Sequence, residues 1–460
     1  MNLGARLGSF VEGNERMEKL RKRSWARVPV SLVLAGVFMT GQAAESPFEG
    51  ASQPLPGWKY GKVREEFFKY KDEKPLFTIT KDNYKEYADK LTAGEVEMFK
   101  QKSGYSMNVY PTHRDCGLPD FVKNNTTANK TKARLSEGQT GDYLVAADLP
   151  GTPFPEPKNG QQAMWNYLMH YRGVGYIYPR VVTAASPAPG SKTWIEPVEE
   201  PWTMYYPWGK KGVSTPDSVN DKYFYIYYGY TEPTAFAGQG ANQLYHFSKQ
   251  VVETYYYFPG QRRVRRLPAY NYDTPQIGFE NNYTQDDIYM FYAAIDRYDW
   301  KIVGRKEIIA PYNAFSMYRF DVPYHSVMKD DLISAANRRY EVHQALEVEG
   351  TVKKGQRHIS ERRVLYLDED SWNAFMGEDY DGQGKLWKVR EGFTIPVWEL
   401  GGSCDQPAFV NYNLSNGRYV HDGGITGQGK DIQWFAEPGN NVIFTDDYYS
   451  SESLRQRSER

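Results

Sequence analysis

The stretch Arg339-Tyr340-Glu341-Val342-His343-Gln344-Ala345-Leu346-Glu347-Val348-Glu349-Gly350-Thr351-Val352 decides the fold class. Tyr340, Val342, Leu346, Val348 and Val352 lie on one side of a period-two pattern. Arg339, Glu341, His343, Glu347, Glu349 and Thr351 lie on the other. Such alternation predicts a strand with one face on a core and one in water. Lys353-Lys354-Gly355-Gln356 reads as a hairpin turn, and residues 357–367 as the returning partner strand.

Working outward, residues 222–230 and 251–258 are dense in β-formers, and a turn at Asp381-Gly382-Gln383-Gly384 precedes a strand at 385–389. One helix is clear, over 160–172. Asn159 caps it, Ala163, Trp165, Leu168, Met169 and Tyr171 give it apolar surface, and Gly173 ends it. Residues 83–102 are expected to be helical with Asp82 as cap and Gly94 as a weak point. Residues 105–150 read as loop. No fixed-period repeat is present. The expectation is a mainly β (α+β) chain, a large antiparallel sheet curved around a few helices. Its parts are an extended lead-in at 45–75, a single β domain at 76–447 and a polar, mobile tail at 448–460.

The chain of 460 residues has 40% apolar and 25% charged residues and a net charge of −1, which does not favour nucleic acid as a partner. Lys19, Arg21, Lys22, Arg23 and Arg27 precede an apolar run from Val28 to Met39 and small residues up to Ala44. That order predicts a cleaved Sec signal peptide over 1–44, with Met17 as an alternative start, and a soluble periplasmic product. The run is too short to span a bilayer. Residues 1–44 carry seven Lys/Arg and three Asp/Glu, so their removal leaves a net charge of −5. Cys116 and Cys404 are the two cysteines of the chain. An even count in an oxidising compartment predicts one disulfide, worth roughly 4–5 kcal/mol in the chain-entropy model.

Arg262-Arg263-Val264-Arg265-Arg266 would point an arginine pair at each face of a strand, and a guanidinium in an apolar concavity needs a carboxylate or an anionic head group. The seven histidines form no metal-binding spacing, although the predicted hairpin brings His343 and His358 within reach of each other. Glu378-Asp379-Tyr380-Asp381-Gly382-Gln383-Gly384 reads as an acidic turn and not a calcium loop. Asp368-Glu369-Asp370 is a charged strand end that could supply the paired carboxylates of a hydrolase. No nucleophile elbow, P-loop or dinucleotide fingerprint occurs, so no catalytic residue, cofactor or metal is assigned. The excess of 38 Tyr, 22 Phe and 11 Trp is the strongest hint. Alternating tyrosines could line an apolar cavity with hydroxyls at its mouth. Tyr225, Tyr227, Tyr255 and Tyr257, with Arg263 and Arg265, are the candidate ligand-binding residues.

Four ordered blocks carry a resemblance. They are residues 151–166 (Gly151-Thr-Pro-Phe-Pro-Glu-Pro157 with Met164-Trp165-Asn166), 259–268, 296–313 (Asp296-Arg297-Tyr298-Asp299-Trp300 and Pro311-Tyr312-Asn313), and 340–368. Together they resemble the proteobacterial family numbered 1329 among domains of unknown function, which is grouped with LolA-like periplasmic carriers. The resemblance implies an incomplete antiparallel β-barrel wrapped around helix, holding a lipid or other hydrophobic molecule. It also implies work with an RND-type exporter and an outer-membrane partner. A soluble carrier is therefore the leading expectation. A non-catalytic envelope scaffold and a carboxylate-dependent hydrolase are the rivals.

Overall fold

The computed structural model describes residues 54–459 except 138–141, 213–214, 249–251 and 269. The expected leader, Met17 and residues 45–53 of the lead-in lie outside the described residues, as does Val251 at the start of its expected strand.

Seventeen strands hydrogen-bond into one sheet. They are β1 (Phe77–Ile79), β2 (Met107–Val109), β3 (Gly175–Tyr178), β4 (Val181–Ala185), β5 (Val198–Tyr205) and β6 (Lys222–Glu232). Next come β7 (Gly240–His246), β8 (Glu253–Phe258), β9 (Arg263–Arg266), β10 (Tyr298–Pro311), β11 (Tyr340–Val352) and β12 (Arg362–Asp368). The last are β13 (Ala374–Tyr380), β14 (Leu386–Gly392), β15 (Phe409–Asn413), β16 (Tyr419–Gly424) and β17 (Gln433–Phe435). The helices are α1 (Ala93–Gln101), α2 (Asp120–Lys132), α3 (Gly160–Leu168), the single turn α4 (Tyr324–Val327) and α5 (Ser451–Ser458).

Neighbouring strands run in the order β9, β8, β7, β6, β5, β4, β16, β15, β14, β13, β12, β11, β10, all antiparallel. β3 pairs with β5 and carries β17, while β2 meets β11 in parallel at Tyr340. β9 and β10 are consecutive in the chain yet stand at opposite ends of this order, and among the described residues they do not pair. The sheet is therefore an open antiparallel barrel, as the resemblance implies, and its strands are antiparallel, as the alternation and turns lead one to expect. Helix α3 packs on its inner face against β10 and β11. A Cβ on Gly160 would sit 2.2 Å from the Trp300 carbonyl carbon, so only glycine permits that approach.

Several expectations need correction. Glu341 and His343, placed on the solvent face of β11, are 0% and 4% exposed. Arg339 Nε and Asn313 Nδ2 donate to Glu341, and the His343 ring stacks on Tyr312. The polar face starts in water only where those covering residues end. The turn at 353–356 forms, but the return strand begins at Arg362: residues 357–360 leave the ladder and send His358 to Asp286, and the Glu361 carbonyl rejoins it by accepting from the Val352 N–H. Helix α1 starts at Thr92, which forms a capping box with Glu95, not at Asp82. Gly94 does not break it but admits β14, a Cβ there lying 3.0 Å from Val389. Residues 120–132, read as loop, form α2. The side chain of Asn129 ties that helix to Asp148 and Thr152, a support invisible locally. The tail expected to be mobile forms α5, capped by Ser450, with Leu454 fully buried.

Candidate functional site

The chain between the two edge strands, residues 267–297, crosses the inner face of the sheet as an irregular strap. The Tyr292 ring lies 4.3 Å from Phe224 on β6 and 6.4 Å from Tyr245 on β7. Tyr289 lies 6.2 Å from Tyr176 on β3 and 6.5 Å from Phe409 on β15, and Phe291 lies 5.3 Å from Trp300 on β10. A stretch of four residues can meet strands so far apart in the sheet order only if this face is concave. Residues 288–292 are all at most 6% exposed.

Backbone–backbone hydrogen bonds of residues 270–294 all close within the strap among the described residues, and only the Ile295 carbonyl reaches the first residue of β10, Tyr298. Side chains hold it instead. Asp286 accepts from His358 Nε2 at 2.8 Å and Arg363 Nη2 at 2.9 Å; Asp287 accepts from Lys388 Nζ at 2.6 Å and Arg390 Nη2 at 2.8 Å. Asp379 on β13 joins Arg363 and Arg390 into one buried network. Burial alone would raise both strap carboxyls. Arg363 and His358 nevertheless hold Asp286 below the ordinary range, and Lys388 and Arg390 do the same for Asp287. Arg172, also buried, lies 4.6 Å from the Tyr289 ring and 5.1 Å from Tyr292. The backbone of Tyr289 and Met290 has φ of 52° and 70°, left-handed values that cost energy in residues with a Cβ.

Two hollows remain beneath the strap. One, of about 30 Å³, is bounded by Trp165 and Leu168 of α3, Phe224, Tyr245 and Phe247, with Ala293–Ile295 of the strap as roof. The other, of about 20 Å³, lies between Glu199, Asp422, Trp202, Tyr228, Phe279 and Tyr283. Ile288 borders the second and Ala293 the first, so Tyr289–Tyr292 occupies the space between them.

The structure brings Tyr225, Tyr227, Tyr255 and Tyr257 together, but on the outer face. Tyr448, Tyr449 and Leu454 cover them there. Arg457 sits 4.2 Å over the Tyr227 ring, and the Tyr225 hydroxyl donates to Asp446. Arg263 and Arg265 stand apart from that cluster, exposed on the edge strand opposite Phe258 and Tyr256. The inward aromatic set is the complementary one: Phe224, Tyr228, Tyr230, Tyr245 and Tyr256. Aromatics fill both faces of β6, so alternation alone could not choose between them.

Cys116 and Cys404 form the expected disulfide. A cleft of about 170 Å³ with a mixed lining opens beside it, between Tyr171, Asp370, Ser371 and Trp372. His343 and His358 do not share a site: the first pairs with Glu341, the second with Asp286. His343, Asp368 and Asp370 present ligand-type atoms within 4.8 Å of one another, but Arg114 already supplies positive charge to Asp370. Asp381 Oδ1 accepts from the backbone of Gln383 and Lys385, so the expected acidic turn is confined to residues 381–384; Glu378, Asp379 and Tyr380 are buried residues of β13. Sequence reading missed the strap's anchors. The available signal was Asp286-Asp287 within an aromatic segment, set against Arg363, Lys388 and Arg390 on otherwise apolar strands.

Comparison with known proteins matches residues 78–455 to the family model described as "Protein of unknown function (DUF1329)". An uncharacterized protein of Pseudomonas aeruginosa is 36% identical over 355 residues, 76% of each chain. The crystal structure of a DUF1329 family protein from Desulfovibrio piger aligns with 14% identity, 61% of this chain and 92% of that one, and a TM-score of 0.39. A LolA superfamily protein from Nitrosomonas europaea aligns with 14% identity, 64% of this chain and 100% of that one, and a TM-score of 0.34. The chain belongs to the DUF1329 family.

Proposed function

We propose that the protein is a carrier for a lipid or similar hydrophobic molecule, held on the concave face where the strap now lies. The carrying observation is that, among the described residues, residues 270–294 make no backbone–backbone hydrogen bond to the sheet, yet cover its aromatic inner surface. A segment held by side chains alone can be exchanged for a ligand without breaking the ladder. The working site is then Phe224, Tyr245, Phe247, Trp165 and Leu168, with Tyr289–Tyr292 as the displaced group.

Energetics restrict the cargo. Re-exposing four large apolar side chains costs about 1.5–3 kcal/mol each, or about 6–12 kcal/mol together. At about 0.8 kcal/mol per methylene, only a chain of roughly ten or more methylenes, or a polycyclic body of like area, competes. The signal-like leader supports a periplasmic setting. Loading and release with an RND-type exporter and an outer-membrane partner follow from the family resemblance. The reading assigns no reaction to the protein.

The test is lipid analysis of the protein purified from the periplasm, together with titration of a fluorescent long-chain fatty-acyl probe. A stoichiometric lipid, or saturable probe binding competed by long but not short chains, is expected. A lipid-free protein that also fails to bind the probe would overturn the carrier.

A further inference from the structure

The hollow at Glu199 contains two carboxyl groups without a cationic partner among the described residues. Glu199 on β5 is 5% exposed, and its carboxylate is approached by the Thr183 hydroxyl at 3.4 and 3.5 Å. Asp422 on β16 accepts from the same hydroxyl at 2.7 Å, from the Tyr283 hydroxyl and from the Gly423 backbone. Among the described residues, neither carboxylate lies within ion-pair distance of any Lys, Arg or His. Most other buried carboxyls have a cation, although Asp115 and Asp368, which accept from Asn313 and from Ser371, have none among the described residues. Asp431 has Arg64, Asp405 has Arg172, Glu391 has Arg338, and Asp286 and Asp287 have four cationic partners between them. Glu95 and Glu378 lack a cation but accept backbone N–H groups at the start of α1.

A second feature points into the same space. Tyr228 is 5% exposed, and its hydroxyl lies near that of Tyr270 but completes no hydrogen bond. It leaves an acceptor beside two carboxylates, and Trp202, Tyr230 and Phe279 add aromatic walls. Carboxylates within an aromatic wall are the chemistry that binds an organic cation. The free volume of about 20 Å³ admits a group the size of one water molecule, hence an –NH3+ but not a trimethylammonium.

We infer that this hollow takes the primary ammonium head of an amphiphile whose chain runs on through the space that Tyr289–Tyr292 now fill, toward the Trp165 cleft. The inference rests on the carrier reading and names the head group of its cargo. Three ammonium hydrogens match Glu199, Asp422 and the Tyr228 oxygen. Burial, with Asp422 adding to it, pushes the Glu199 carboxyl well above its ordinary range, and an ammonium would draw it back to the charged form.

Dodecylamine, dodecyltrimethylammonium, dodecanol and butylamine, each below its aggregation concentration, are titrated calorimetrically into the full chain and into Glu199→Gln and Asp422→Asn. Near-UV circular dichroism checks the fold of each variant, and either variant serves alone. Dodecylamine should bind about tenfold or more tighter than dodecanol and dodecyltrimethylammonium, with butylamine far weaker. The amine-to-alcohol ratio should fall to about one in the variants. Equal binding of amine and alcohol, an unchanged ratio in a folded variant, or tight binding of the trimethylammonium would overturn the head-group inference and leave the carrier standing. Butylamine as tight as dodecylamine would make this a small-amine site and overturn the amphiphile. Failure of every long-chain compound would remove the carrier and the inference together.

Discussion

Asp287→Asn tests how the strap is held. Asparagine keeps the size of the side chain and an oxygen for the Thr284 N–H, at 2.9 Å from the native carboxylate. It removes the charge that faces Lys388 at 2.6 Å and Arg390 at 2.8 Å, all three residues being at most 1% exposed. Arg390 retains Asp379, but among the described residues Lys388 has no other carboxylate within ion-pair distance. Leaving a buried charge unpaired costs about 3–5 kcal/mol. The expected loss is about 3–5 kcal/mol in equilibrium urea unfolding followed by tryptophan fluorescence. Adding Lys388→Met removes the stranded charge and should recover about 2 kcal/mol or more, a coupling that a double-mutant cycle measures directly. The sign with pH follows from the depressed Asp287 carboxyl. Its contribution is complete above the unfolded value near 3.9 and is lost as pH falls through the lower folded value. The gap between wild type and Asp287→Asn should thus persist down to about pH 4 and close only below it. If the two single losses simply add, the ion pair does not anchor the strap and the reasoning is refuted.

Other expectations are narrower. Asp115 and Asp368 are pushed up to about 6, first by burial and then by Glu341 and Asp370 respectively. Raised carboxyls stabilise below the unfolded value and lose that contribution as pH rises, so stability should fall between about pH 4 and 6 by up to about 3 kcal/mol per group. Asp115→Asn and Asp368→Asn should each flatten that slope in urea midpoints taken across the range. Replacing Cys116 and Cys404 by serine should cost about 2–5 kcal/mol, read in the same assay against the oxidised protein. Leu454→Ala should lose about 2 kcal/mol or more of α5 docking. Hydrogen exchange should then rise at residues 448–459 and leave β14 protected. Gly160→Ala drives a methyl into the Trp300 backbone, which cannot yield as a side chain would, and should cost about 3 kcal/mol or more in thermal or urea unfolding.

Much of the scaffold is legible in local pattern. The alternation through β11, the turn at 353–356, the turn at 381–384 and the cap at Asn159 all need only neighbours a few residues away. Local pattern misplaced what depends on distant support. Thr126 and Thr127 are poor helix formers in isolation, yet Thr126 back-bonds to Val122 and Asn129 fastens α2 to residues about twenty positions on. Glu341 and His343 read as surface because Asn313 and Tyr312, which cover them, come from the preceding strand's end.

The same division separates fold from site. Sequence pattern alone determined a mainly antiparallel β protein with one disulfide and an aromatic-rich core, because strand periodicity, turn residues and cysteine count are local or compositional; its being an open barrel was implied by the family resemblance. Only the tertiary structure decided which tyrosines face the concavity, since β6 is aromatic on both sides and the choice depends on where residues 448–459 return. It alone showed the strap. Asp286 and Asp287 meet Arg363, Lys388 and Arg390 across 77 to 103 residues of chain, and Glu199 meets Asp422 across 223. Ion pairing and its absence are properties of space, which strand order sets and sequence spacing does not reveal.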